Sequence, residues 1–152
     1  MIVYRCTLRR WASDLSGAGA FLYGGRWNSP GTYLIYSAEN NVLAAFEVAL
    51  RVPLDHISKN YVMVPIEIPD NVKIIKPSLP RQWQVNHDVT RAMGVDFVKE
   101  RISPVMKVPS ALISDSFNYL INPLHPLLRN VKVREARPIL FDKRLREMIR
   151  GK

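Results

Sequence analysis

The chain contains a single cysteine, Cys6. No intrachain disulfide can form, which fits a reducing compartment. No apolar run approaches the roughly 18 residues that a membrane span requires. The first ten residues alternate apolar and polar side chains with arginines among them, unlike a secretory leader. The expected location is therefore cytoplasmic. Acidic residues are also scarce: 13 Asp and Glu stand against 22 Lys and Arg, a formal charge of +9. The excess gathers at the end, where nine cations (129, 132, 134, 137, 143, 144, 146, 150 and 152) face three acids (Glu135, Asp142 and Glu147). Such a segment suits a polyanion, an acidic protein surface or a phosphate-bearing small molecule, and equally a solvated basic face.

Several familiar signatures are missing too. Gly17 and Gly19 begin a dinucleotide fingerprint, but its third glycine would fall at Leu22, and a strand rather than a helix is expected to follow the loop. There is no phosphate-binding G-x-x-x-x-G-K-[ST] motif and no G-x-S-x-G elbow. His56, His87 and His125 lie far apart in sequence and form no H-E-x-x-H pair, so no metal site is expected. Cys6 sits in an apolar strand pattern and reads as a small core residue.

At 152 residues the chain fits one domain, 1–152, large enough to build a core without staples. Ile2 to Leu8 alternates as a strand, with Ile2, Tyr4, Cys6 and Leu8 on one face and Val3, Arg5 and Thr7 on the other. Residues 11–32 read as a long Gly- and Ser-rich loop, a length that is often functional. A strand is expected over Tyr33–Tyr36, then a helix capped by Ser37, favoured by the charge of Glu39 and ending near Pro53. Strands are expected at Tyr61–Ile68, Val72–Ile75, Ala111–Ser114, Tyr119–Ile121 and Val131–Phe141, with Pro65 marking an edge or bulge. Asp88 to Arg101 predicts a helix weakened by Gly94, and Asp142 caps a last basic helix, Lys143–Arg150. This order lacks regular βαβ alternation and points to an α+β fold, a mixed twisted sheet with flanking helices.

Within that frame, "LYGGRWNSPGT" (Leu22–Thr32) places a guanidinium and an indole directly after two glycines. Gly24 and Gly25 let the backbone approach a ligand closely. Arg26 offers a planar fork suited to phosphate oxygens. Trp27 and Tyr23 offer flat faces for stacking. Glu47 is the one charged residue between Val42 and Leu50. A carboxylate there must be solvated, paired or functional. It is either an exposed residue in an i, i+4 pair with Arg51 or a catalytic group at a cleft rim. Further on, Ser110 follows a proline, and Asn118 and Asn122 flank a short apolar run in "NYLINPLHP".

Together, "GGRWNSPGT", Tyr36 ten residues after Arg26, "LAAFE", "VPS" and "NYLINPLHP" resemble the RES domain family, named for its Arg, Glu and Ser residues. The resemblance runs from the N-terminal "YR" to the last strand. It implies an ADP-ribosyltransferase-like fold and the toxin of a toxin–antitoxin pair acting on NAD. Arg26, Tyr36, Glu47 and Ser110 would form the catalytic core. Arg5, Gly24, Gly25, Trp27, Asn28, Asn118 and Asn122 would bind substrate. NAD would be the substrate, with inorganic phosphate or water as acceptor and no metal. The partner implied is an antitoxin with a helix-turn-helix DNA-binding domain, through which homo-oligomers could form. Ser116 and Phe117 depart from the charged residues expected before "NYLINP". Two other readings stay open: protein ADP-ribosylation, and a basic nucleic-acid-binding module using the C-terminus. The lone acid in an apolar helix does nothing for the latter, and no recognition helix is evident.

Overall fold

A computed structural model describes residues 1–150, with the side chain of Arg150 left out. Its strands form one eight-stranded mixed sheet. In chain order the strands are β1 (Ile2–Leu8), β2 (Ile35–Ala38), β3 (Tyr61–Glu67), β4 (Ile74–Ile75), β5 (Val105–Pro109), β6 (Phe117–Ile121), β7 (Lys132–Val133) and β8 (Arg137–Pro138). The helices are α1 (Ala18–Tyr23), α2 (Asn41–Ala49), α3 (Leu54–Asn60), α4 (His87–Glu100) and α5 (Lys143–Arg150). The sheet order is β4-β5-β6-β2-β1-β3-β7, with β8 also on β3, and only the β4–β5 pair is parallel. No helix among the described residues is long and apolar enough to cross a membrane.

The alternation in β1 holds. Val3 joins Ile35, Val64, Ile66, Val105 and Ile121 in a core on one face. Tyr4 and Cys6 pack on the other face, against Leu43, Ala44 and Ala45 of α2 and Ile57 of α3. Burial pushes the Cys6 thiol up to about 12, so it stays protonated and unreactive. On the same face as Tyr4, further along the sheet, Met106, Leu120 and Tyr36 meet Trp27, Trp83 and Phe97, with Phe97 supplied by α4.

Local chemistry moves several boundaries. Ser37 is not a helix cap. It lies in β2, where its hydroxyl donates to the Tyr119 carbonyl at 2.7 Å. Asn40 caps α2 instead, accepting from the Leu43 N–H at 2.8 Å, and Glu39 accepts from the Phe117 N–H across the sheet. The expected helix stops short of Pro53, as read, but a further helix that the sequence reading did not include, α3, starts immediately after that proline. The long loop contains α1, entered through Gly17 at φ +73°. Ala111–Ser114 is a turn, not a strand. The strand falls earlier, at β5, and pairs with β6 as a hairpin closed by Ser110 N–H donating to the Ser116 carbonyl. Val72–Ile75 and Val131–Phe141 contribute only short bridges to the sheet.

Pro65 behaves as its chemistry demands. β3 pairs with β1 along its whole length on one side. On the other side β7 and β8 pair with residues 66–67 and 62–63, leaving a gap between them. The Pro65 carbonyl accepts from the Arg134 N–H at that gap. The missing proline N–H points the same way, so no ladder bond is lost. Asp142 caps α5 as expected, accepting from the Arg144 N–H at 2.8 Å.

Candidate active site

The glycine loop is shaped by contacts that admit no side chains. Gly24 adopts φ +68°, a conformation that favours glycine. A Cβ on Gly25 would lie 2.5 Å from the Tyr36 hydroxyl. That hydroxyl donates to Asn28 Oδ1 at 2.7 Å and accepts from the Trp27 N–H at 3.0 Å. Asn28 is fully buried. Its Nδ2 donates to the carbonyls of Ala20, Ser29 and Thr32. Three carbonyls around one nitrogen fix the orientation of the amide and leave Asn28 nothing to offer a ligand.

Helix α4 holds the same loop from behind. Thr90 Oγ1 donates to the Arg26 carbonyl at 2.7 Å, and Arg91 Nε donates to the Gly25 carbonyl at 3.1 Å. The Trp27 carbonyl sits where a Cβ of Gly94 would be, only 1.6 Å away. Gly94 is thus the point of closest approach between helix and loop. Trp27 is 2% exposed and packs at 5.8 Å from Trp83. Its faces are occupied, so it offers no stacking platform to a ligand, contrary to the expectation from sequence. Tyr23 is exposed. The Arg26 side chain points outward. Its Nη1 donates to the Gln84 carbonyl and lies 3.4 Å from His87 Nε2.

Glu47 is half-buried on α2. Its Oε1 accepts from Ser110 Oγ at 2.9 Å and from Asn118 Nδ2 at 2.7 Å. Ser110 Oγ in turn accepts from the Leu112 N–H at 3.0 Å, which orients its hydroxyl proton toward Glu47. The pair with Arg51 does not form. Glu47 Oε2 has no protein hydrogen bond among the described residues. Both donors are neutral, so they aim the carboxylate without cancelling its charge. A cation developing beside Oε2 would be stabilised.

The two groups share one face of the sheet. Asn118 pairs with Ala38, which alternation places on the same side as Tyr36. Burial pushes the Tyr36 phenol up to about 12, while the guanidinium groups of Arg51, Arg91 and Arg26 pull the other way. One face of the sheet therefore carries the Glu47 carboxylate and, around Tyr36, three cations. Arg5 is not among them. Tyr4 pairs with Ala38, so the adjacent Arg5 faces the opposite side of the sheet. There it donates to the Asp14 carbonyl, and burial lowers its pKa while Asp14 opposes that shift. Asn122 is not brought into the cluster either. It is fully buried beyond the far end of β6, where its Nδ2 donates to the Val98 carbonyl at 3.0 Å. Two grooves of about 440 and 390 Å³ lie where the C-terminal segment meets α2 and the α2–α3 junction; neither includes Glu47, Tyr36 or Ser110, and Arg51 lines the second. Among the described residues no three His, Cys, Asp or Glu side chains gather to hold a metal.

This arrangement of loop, carboxylate and arginines sits in a chain with known relatives. The RES domain model matches residues 2–142. The chain belongs to the RES domain family. It is 34% identical over 141 residues to the Prs ADP-ribosylating toxin of Sphingobium sp. (strain YBL2), covering 88% of each chain. It is 31% identical over 153 residues to Toxin Res of Yersinia enterocolitica, covering 96% of this chain and 100% of that one. In fold it is similar to a chain in the crystal structure of the M. tuberculosis MbcT–MbcA toxin–antitoxin complex, at a TM-score of 0.69 and 21% identity, over 99% of this chain and 89% of that one. Of the RES residues read from the sequence, Glu47 and Ser110 are in direct contact, and Arg26 stands beside Tyr36 on the glycine loop. Arg51 and Arg91 escaped the sequence reading. Arg51 looked like an ion-pair partner for Glu47. Arg91 lies in a helix with no motif of its own, and its one signal was Gly94, a helix-weakening residue that marks close packing.

Proposed function

We propose that the chain is the toxin of a toxin–antitoxin pair and that it cleaves the nicotinamide–ribose bond of NAD, with inorganic phosphate or water as acceptor. The observation that carries this reading is the open Oε2 of Glu47, on the sheet face where three arginines act on Tyr36. NAD has the matching polarity, with a ribosyl carbon that becomes cationic and a pyrophosphate that is anionic. The nicotinamide nitrogen already carries positive charge, so it leaves with the bonding electron pair as neutral nicotinamide and needs no general acid. The ribosyl cation left behind is of the kind met in glycoside cleavage, and Glu47 Oε2 faces it. A phosphate oxygen then donates an electron pair to the same carbon, giving ADP-ribose phosphorylated at that position. Water in its place gives ADP-ribose and releases a proton.

Ser110 and Asn118 aim Glu47, and Arg26 holds the pyrophosphate. Tyr36 acts through the loop, because its proton is committed to Asn28. The family membership supports this reading, as does the toxin named in the solved complex, which is bound to an antitoxin. The antitoxin expected here carries a helix-turn-helix domain. Protein ADP-ribosylation is the second reading, favoured by the activity for which the Sphingobium relative is named. Incubation of the purified chain with NAD, with and without phosphate, separates the outcomes by mass. Phosphorylated ADP-ribose formed only with phosphate establishes phosphorolysis. Free ADP-ribose in both establishes hydrolysis. Label retained on protein favours the second reading, and intact NAD throughout refutes cleavage.

A further inference from the structure

Four side-chain cations of the described chain take acidic partners within 4.0 Å. Arg134 meets Glu67 at 3.0 Å, Arg144 meets Asp142 at 2.9 Å, Lys143 meets Glu147 at 3.5 Å and Arg146 meets Asp55 at 4.0 Å. Arg26, Arg51 and Arg91 take none among the described residues, although all three act on Tyr36. Like charges so gathered repel one another, and an anion between them relieves the repulsion.

Arg91 is the best organised of the three. Its Nε is fixed on the Gly25 carbonyl at 3.1 Å. Thr90 and Gly94, its neighbours on α4, are locked to the next two carbonyls of the loop. The stem of the side chain therefore has little freedom to lose on binding. The two terminal nitrogens carry no hydrogen bond to the described residues, and the side chain is only partly buried. A guanidinium anchored through Nε presents these nitrogens as a planar pair matched to two oxygens of a phosphate. Arg51 lies four residues beyond Glu47, just past the end of α2, and acts on Tyr36 as well. With Arg5 on the opposite face of the sheet, the anionic groups of a dinucleotide need a second cation besides Arg26.

We propose that Arg91, flanked by Arg51, forms a phosphate-oxyanion subsite behind the glycine loop. Its ligand is either the pyrophosphate of the dinucleotide or free inorganic phosphate, a choice that rests on the NAD-cleaving reading above. The test is calorimetric binding of ADP-ribose, inorganic phosphate and adenosine to the wild-type chain, Arg91→Gln and Arg91→Lys, with the fold of each checked by circular dichroism. Loss of a charge-assisted contact predicts binding about 10- to 100-fold weaker in Arg91→Gln, partial recovery in Arg91→Lys, and unchanged adenosine binding. Loss confined to ADP-ribose identifies the pyrophosphate as the ligand, and loss confined to phosphate identifies the acceptor. Undiminished binding of both in Arg91→Gln overturns the proposal. So does equal loss in both variants with adenosine weakened alongside, because Arg91 would then be a brace for the loop. A wild-type chain that leaves NAD intact but binds phosphate through Arg91 refutes the cleavage reading and keeps the subsite. A wild-type chain that binds none of the three refutes both.

Discussion

Asn28 commits all its hydrogen-bonding groups to the protein, whereas Glu47 commits one oxygen and leaves the other open. Both were candidate site residues in the sequence, and both lie within motifs of the same family. Their surroundings give them different work. A saturated side chain can only fix geometry, because any ligand contact would first break a bond to the protein. A side chain with one free oxygen is aimed by its bonded half and acts with the other. Around Asn28 the result is a rigid loop that carries Arg26. Around Glu47 it is an oriented charge.

Replacing each residue should expose that division. Glu47→Gln keeps an oxygen for Ser110 and Asn118 but removes the charge at Oε2. Turnover of NAD should fall by about 10²- to 10³-fold, the loss typical of a preorganised charge-stabilising group. The denaturant midpoint should barely move. Wild-type turnover in this variant would remove Glu47 from the chemistry. Asn28→Ala should show the converse ranking, because it takes the acceptor from the Tyr36 hydroxyl and the Asn28 donor from three carbonyls. A loss of about 2–3 kcal/mol in urea unfolding is expected, with weaker turnover as a consequence of the loosened loop. If stability were unchanged, the contrast between the two residues would collapse.

The smallest effect concerns Tyr36. Its phenol is pushed up to about 12 from an ordinary 10 by burial. The folded state therefore holds the proton longer than the unfolded state. The associated stability is present below pH 10 and is lost as pH rises from 10 toward 12. One such group contributes a slope of at most about 1.4 kcal/mol per pH unit. Tyr36→Phe should flatten the alkaline limb of the stability profile by about that amount. Cys6, also pushed up to about 12, would leave its own alkaline loss in both proteins. An unchanged limb would mean that Tyr36 is not held in a dry, bonded position.

Patterns of short range were the most legible in the sequence. The period-two alternation of β1 is enough by itself to put Tyr4 and Arg5 on opposite faces. Asp142 announced a helix cap, and Pro65 announced a break in pairing. What escaped depended on distance in space. No local pattern says that Arg5 faces away from Tyr36, because that needs the register of β1 with β2 and of β2 with β6. The burial of Trp27 depends on α4, some 60 residues later, and so does the position of Arg91. The motif order signalled the glycine loop, Glu47 and Ser110, yet it could not separate residues that aim from residues that act.

Gly94 was the one weak point of α4 when read as a helix. In the folded chain it works as a spacer of zero thickness. The Trp27 carbonyl occupies the volume of its absent side chain, so the separation between helix and loop is set by backbone meeting backbone. Arg91 extends from the same helix one turn earlier. Its reach toward Gly25 is therefore calibrated by position 94, and a methyl group there would put the arginine out of register with the loop it grips.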